Sequence, residues 1–159
     1  MRTTTEPVTG TDLMSVAKFE RFFRAAASLD IDKEDLRRYN DFIGQKIHDM
    51  LLRAEANAQA NARDVIEPQD LPIGKGLQEC MIQYKRLNEE IELQPILEWL
   101  AQAPQMDRPP NDDTQAELPE VAGGISYALA QSFRIVDPNL KNPHGEQWER
   151  ATKLFDLLL

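Results

Sequence analysis

The stretch Asn61-Ala62-Arg63-Asp64-Val65-Ile66-Glu67-Pro68-Gln69-Asp70-Leu71 (NARDVIEPQDL) lies between two segments whose apolar residues recur at helical spacing. Val65 and Ile66 are β-branched, a choice that suits a short extended segment better than a flexible helix connection. Arg63 stands two residues before that pair, and Asp70 follows Arg63 by seven. A planar guanidinium can grip a carboxylate with two parallel bonds. The spacing therefore predicts a structural clamp between Arg63 and Asp70 that fixes the path of the joint.

Upstream of the joint, Leu36, Tyr39, Ile43, Ile47, Met50, Ala54 and Ala58 recur every three or four residues. They predict one long helix from Lys33 to Ala62, ~45 Å at 1.5 Å per residue. Such a helix must be crossed by others to bury its apolar stripe. Asp32 is placed to cap its start, and the acidic first turn suits the helix dipole. Before it, Val16, Phe19, Phe22, Phe23 and Ala26 mark a shorter helix, and Ser28-Leu29-Asp30-Ile31 breaks the period as a second extended piece. After the joint, Ile73, Leu77, Cys80, Met81, Tyr84 and Leu87 mark a third helix, with Asp70 as cap and Pro72 in its first turn.

A weaker version of the same order follows. Pro95 to Leu100 reads as a short helix, and residues 104–114 as a loop ending in a cap or turn. Val121, Ile125, Leu129 and Val136 give a helix that Pro119 either starts or kinks. Gly123-Gly124 within it predicts close backbone packing, since each glycine costs ~1 kcal/mol relative to alanine in a helix. A final helix carries Trp148, Ala151, Phe155 and Leu158. The two extended pieces, residues 28–31 and 65–66, are separated by the long helix. They can pair only with a second unit lying antiparallel across the first.

This order resembles the histone fold: a short helix, an extended loop, a long central helix, a second extended loop and a short helix. Histones carry an arginine two residues before a β-branched pair in the second loop, and an aspartate seven after the arginine; Arg63, Val65, Ile66 and Asp70 match that pattern. The whole chain is similar to a small bacterial family of uncharacterised proteins with two histone folds in one polypeptide. The stretches KFERFFRAAASLDIDKEDL, DLPIGKGLQE, LPEVAGG, DPNLKNP and LFDLLL carry that likeness. The resemblance implies an all-α fold of tandem histone units packed as an intramolecular pseudo-dimer. The expected organisation is a flexible tail over 1–14, a first unit over 15–90 and a divergent second unit over 91–159. The second unit has no arginine followed seven residues later by aspartate, so no second clamp of that kind is expected.

Composition narrows the function. The 159 residues carry a net charge of −9, with 18 Lys and Arg against 27 Asp and Glu. Nucleic-acid binding draws its free energy from cations clustered against phosphates. Here the first loop reads Asp30-Ile31-Asp32-Lys33-Glu34-Asp35, which repels phosphate, so DNA is disfavoured as a partner. The alternative reading is a weak nucleoid-associated protein using a basic patch of Lys18, Arg21, Arg24, Arg37 and Arg38. No apolar run reaches the ~18–20 residues of a membrane span, and the N-terminus has no apolar core of a signal peptide. A cytoplasmic protein is expected.

No constellation points to catalysis, a cofactor or a metal. Gly74-Lys75-Gly76 lacks the Ser or Thr that follows the lysine of a phosphate loop. The Asp30, Asp32, Glu34, Asp41 series has Asp35 where a calcium loop needs glycine. His48 and His144 stand in no metal spacing, and the single Cys80 reads as buried packing. The chain reads as a non-enzymatic structural or protein-interaction module with a protein partner.

Overall fold

The acidic start of the long helix folds as a reciprocal cap. The Asp35 amide donates to Asp32 Oδ1 and the Asp32 amide donates to Asp35 Oδ2, each at 3.0 Å. Two of the orphan donors of a helix N-terminus are satisfied in this way. A computed structural model describes the backbone of residues 5–159 and the side chains of residues 16–159. Its helices are α1 (Thr5–Ala27), α2 (Lys33–Ala60), α3 (Lys75–Ile91), α4 (Gln94–Leu100), α5 (Asp112–Val136) and α6 (Gly145–Leu158), with a 3-10 turn over Pro68–Asp70. Among the described residues the fold is all-α. Its one β-type contact is an isolated parallel bridge between Ile66 and Pro110.

Several boundaries differ from the sequence reading, each for a local reason. Helix α3 starts at Lys75 behind Gly74, not at Asp70. Both oxygens of the Asp70 carboxylate are already engaged, one by Arg63 and one by the Glu67 amide. The side chain closes the 3-10 turn through these two bonds, and α3 begins behind Gly74 with no side-chain cap. Helix α2 stops at Ala60 because Ala62 takes a left-handed φ of 59° and the Arg63 amide turns back to the Ala58 carbonyl at 2.9 Å. Within the tail expected over 1–14, residues 5–14 have helical backbone as the start of α1, and residues 1–4 lie outside the described residues. Pro119 sits inside α5, which starts behind the Asn111 cap. Cys80, expected to be buried, is only partly so. Burial, and to a lesser degree Glu79, raises its thiol pKa, which keeps it protonated and a poor nucleophile.

Helix α5 is the hub, in contact with each of the other five helices. Every residue from Val121 to Ser126 is buried, so this segment is enclosed on all sides rather than along one stripe. Glycines make the closest approach possible. A methyl built on Gly123 would lie 2.4 Å from the Tyr84 ring of α3, and one on Gly124 would meet Met81 at 2.5 Å. The sequence predicts close packing at this pair; α3 is what packs there.

Helices α2 and α5 are tied at their buried contact. Ser126 Oγ donates to the Ala122 carbonyl at 2.7 Å, which leaves its oxygen to accept from Tyr39. Tyr39 is fully buried and also holds α1, with the Phe19 ring 4.4 Å and the Phe23 ring 5.8 Å away. Helix α6 docks through Phe155 on Phe42 and Trp148 on Phe133, both edge-on at 5.0 Å. Trp148 Nε1 donates to the buried Asp35 carboxylate at 2.9 Å. Burial pushes the Asp35 pKa up, against the pull of the bonds from Trp148 and the Asp32 amide. Both halves of the chain thus build one core.

Candidate functional site at the paired loops

Among the described residues, the joint over residues 61–71 is one of two places where the halves of the chain meet by main-chain pairing. The Ile66 amide donates to the Pro109 carbonyl at 2.8 Å, and the Asn111 amide donates to the Ile66 carbonyl at 3.0 Å. Thr114 Oγ1 reaches the same Ile66 carbonyl at 2.8 Å. Ile66 is wholly buried, while Val65 beside it faces outward. Adjacent residues of an extended segment point to opposite faces, so one β-branched residue enters the core and the other caps the surface.

Arg63 and Asp70 meet beneath this joint. Arg63 Nη2 donates to Asp70 Oδ1, and the carboxylate is 3% exposed. Asp70 Oδ2 accepts from the Glu67 amide at 2.8 Å, and Asn57 Nδ2 donates to the Asp70 carbonyl at 2.9 Å. The second half contributes Arg108, whose Nε donates to the Arg63 carbonyl at 3.1 Å and whose amide donates to Glu55 at 3.0 Å. The grip is single rather than two-pronged: Arg63 Nε stands 3.7 Å from Glu67 Oε1, without a hydrogen bond.

At the other end, the Asp30 amide donates to the Lys141 carbonyl at 2.7 Å. The pin there is Arg134, in the last turn of α5. Its Nε and Nη2 donate to the Ala27 carbonyl at 3.1 and 2.8 Å, Nη2 also to Ser28 at 3.1 Å, and Nη1 to Pro138 at 2.5 Å. Arg134 precedes Val136 by two residues as Arg63 precedes Val65, but Lys141 stands where an aspartate would be. A cation suits the exposed carbonyls at helix C-termini, here those that close α1. Sequence reading missed this role, because backbone carbonyls more than a hundred residues away leave no trace in side-chain identity. Arg134→Ala should lower stability by about 2 kcal/mol, because several charge-assisted bonds to carbonyls are lost together. A urea melt checks this; a midpoint unchanged from the parent chain would remove Arg134 from the role.

The five residues of the candidate basic patch are distributed over several places. Arg21 and Arg24 line one cavity together. Lys18 donates to the Glu92 carbonyl at 3.0 Å. Arg38 lines a different cavity with Phe42, Gly145 and Trp148, and lies 3.8 Å from Asp35. Arg37 is exposed on the second turn of α2. Lys46, a residue the sequence reading passed over, is buried and pairs with Asp49 at 3.3 Å and with Asp156 of α6. Both histidines are exposed: His48 borders a polar cavity with Glu55 and Asp107, and His144 precedes α6. Among the described residues no three His, Cys, Asp or Glu side chains gather as a metal set, and no helix is long and apolar enough to cross a membrane.

Relatives share this architecture. A crystal structure of a protein from Thermus thermophilus is 48% identical, with a TM-score of 0.80 over 91% of this chain and 97% of that one. The crystal structure of a protein from Aquifex aeolicus has the same fold at 21% identity, with a TM-score of 0.79 over 91% of this chain and 95% of that one. A sequence relative from Aquifex aeolicus (strain VF5), named "Uncharacterized protein", is 24% identical over 139 residues, 87% of this chain and 81% of the relative. Residues 19–156 match the family described as "Domain of unknown function (DUF1931)", and the chain belongs to that family.

Proposed function

We propose that this protein is a covalent pseudo-dimer of two histone-fold units, 15–90 and 91–159, serving as a non-enzymatic structural and protein-interaction module. The observation that carries this reading is the reciprocal loop pairing. The loop before α2 meets the loop after α5, through Asp30 and Lys141, while the loop after α2 meets the loop before α5, through Ile66 and Pro109. Two helix–long helix–helix units laid antiparallel bring these loops together and no others. A histone-fold unit alone exposes the face that its partner covers. Here the partner is in the same chain, which leaves the outer surface for other contacts.

Charge favours proteins over DNA as the object of those contacts. The net −9 opposes a polyanion at long range, and Asp30, Asp32 and Glu34 are exposed beside one paired loop. The conspicuous charged groups at the paired loops, Arg63 and Asp70 at one and Arg134 of α5 at the other, are engaged in fixing the loops' paths. The structural role accounts for them without a reaction. We place the module in the cytoplasm.

Two measurements test the reading. In a mobility-shift titration at about 50 mM salt, where electrostatic contacts to phosphates are strongest, duplex DNA should run unretarded. Retardation that disappears in the Arg21→Glu, Arg24→Glu variant would establish the nucleoid-associated alternative in its place. Affinity capture of the tagged chain from its native cell should return the same protein partner in replicate preparations. Replicates with none would contradict an interaction module.

A further inference from the structure

Helices α1 and α3 lie side by side, with Lys18 of α1 bonded to the carbonyl of Glu92 just past the end of α3. A cavity of about 260 Å³ opens between them. Its lining is divided by chemistry. Ala25, Leu87 and Ile91 supply apolar surface, while Arg21 and Arg24 come from α1 and Arg86 from α3. The single carboxylate in the lining is Glu90.

This is an unusual distribution for a chain of net charge −9. Opposite charges stabilise neighbouring helix positions and like charges destabilise them. Elsewhere cations meet carboxylates, within one helix where Lys75 pairs with Glu79 at 2.8 Å and between helices where Lys85 of α3 pairs with Glu120 of α5 at 3.3 Å. In the α1–α3 groove three exposed arginines line one cavity. Among the described residues, Arg24 reaches Asp30 at 3.6 Å, while Arg21 and Arg86 have no ion-pair partner.

We propose that the α1–α3 groove is a binding site for a small organic phosphate monoester. The phosphate sits among Arg21, Arg24 and Arg86, and the organic part lies on Ala25, Leu87 and Ile91. Three guanidinium forks call for an anion with three acceptor oxygens and about two negative charges, which a phosphate monoester supplies. A carboxylate offers only two oxygens and one charge. The cavity is smaller than the ~300–1,000 Å³ of most small-molecule pockets, so the organic part is no larger than one ring. This site is independent of the pseudo-dimer reading and stands or falls separately from it.

The test is an NMR titration of the ¹⁵N-labelled full chain at low salt with phenyl phosphate, inorganic phosphate and phenol. Phenyl phosphate should shift the amides of residues 21–25 and 86–91 and bind several-fold more tightly than inorganic phosphate, with phenol producing no saturable shift. Arg86→Glu and, separately, Arg21→Glu should each weaken phenyl phosphate by about ten-fold or more, because a charge-assisted bond becomes a repulsion. The exposed Arg37→Glu, away from this cavity, should leave binding unchanged. Thermal melts of each variant confirm that it is folded, and having two groove variants protects the test against the loss of one. Shifts confined to other residues, parental affinity in a folded groove variant, or phenol binding as tightly as phenyl phosphate would each overturn the site.

Discussion

Replacing Gly123 with alanine should lower stability by about 2 kcal/mol, the upper end of the overpacking cost less the propensity gain, although alanine is the better helix former. Two effects compete. The substitution gains ~1 kcal/mol of helix propensity. It also places a methyl 2.4 Å from the Tyr84 ring carbons, a separation that packed atoms do not tolerate. Tyr84 cannot swing aside at low cost, since its ring is fully buried and its hydroxyl donates to Gln94 Oε1 at 2.7 Å. Overpacking of a rigid core costs ~1–3 kcal/mol and occasionally more, and here it outweighs the propensity gain. The melting temperature should fall by roughly 4–8 °C for a chain of this size. Gly44 supplies the internal control, as a helical glycine with nothing within 4 Å of a built Cβ. Gly44→Ala should raise stability by up to ~1 kcal/mol. If both substitutions shifted the melt in the same direction, the close approach of α3 to α5 at Gly123 would be wrong.

Removing the Asp70 carboxylate should be the second large effect. Asp70→Ala leaves the Glu67 amide without its acceptor and the Arg63 guanidinium without its buried partner. Breaking one side of a buried pair costs ~3–5 kcal/mol. Arg63 retains 26% exposure of its side chain, and water there recovers part of that loss; about 3 kcal/mol is expected. Arg63→Ala should cost less, about 2 kcal/mol, because Asp70 keeps its bond from the Glu67 amide. The double variant should be no less stable than Asp70→Ala by more than about 0.5 kcal/mol, since the shared interaction is lost only once. Denaturant melts of the three variants measure this. Strict additivity would mean that the two side chains act separately.

The sequence made some of this legible and hid the rest, according to how local each signal is. Helical periodicity is local, so the all-α class, the long helix after Asp32 and the break at residues 28–31 could be read directly. The Arg63–Asp70 spacing spans seven residues and was legible for the same reason. The start of α3 was misplaced because Asp70 looked like a cap and was in fact occupied by Arg63 and Glu67. Gly123 and Gly124 announced close packing, but nothing in their own segment named Tyr84 and Met81 as the neighbours. Arg134 is the clearest case of a hidden role. Its targets are the carbonyls of Ala27 and Ser28, which every residue type possesses. Arg86 joined Arg21 and Arg24 only once α1 and α3 were laid together.

We propose that the two halves of the chain form one cooperative core, neither folding without the other. Separate production of residues 1–92 and 93–159 tests it most directly, with circular dichroism melts of each piece and of an equimolar mixture. Each piece alone exposes core that the other should cover: Tyr84 loses Gly123, and Trp148 loses Asp35. The account predicts no cooperative transition for either piece alone. The mixture should recover helix and a cooperative melt whose midpoint rises with concentration, as mass action requires of an association. A sharp, concentration-independent melt from either piece alone would contradict the account.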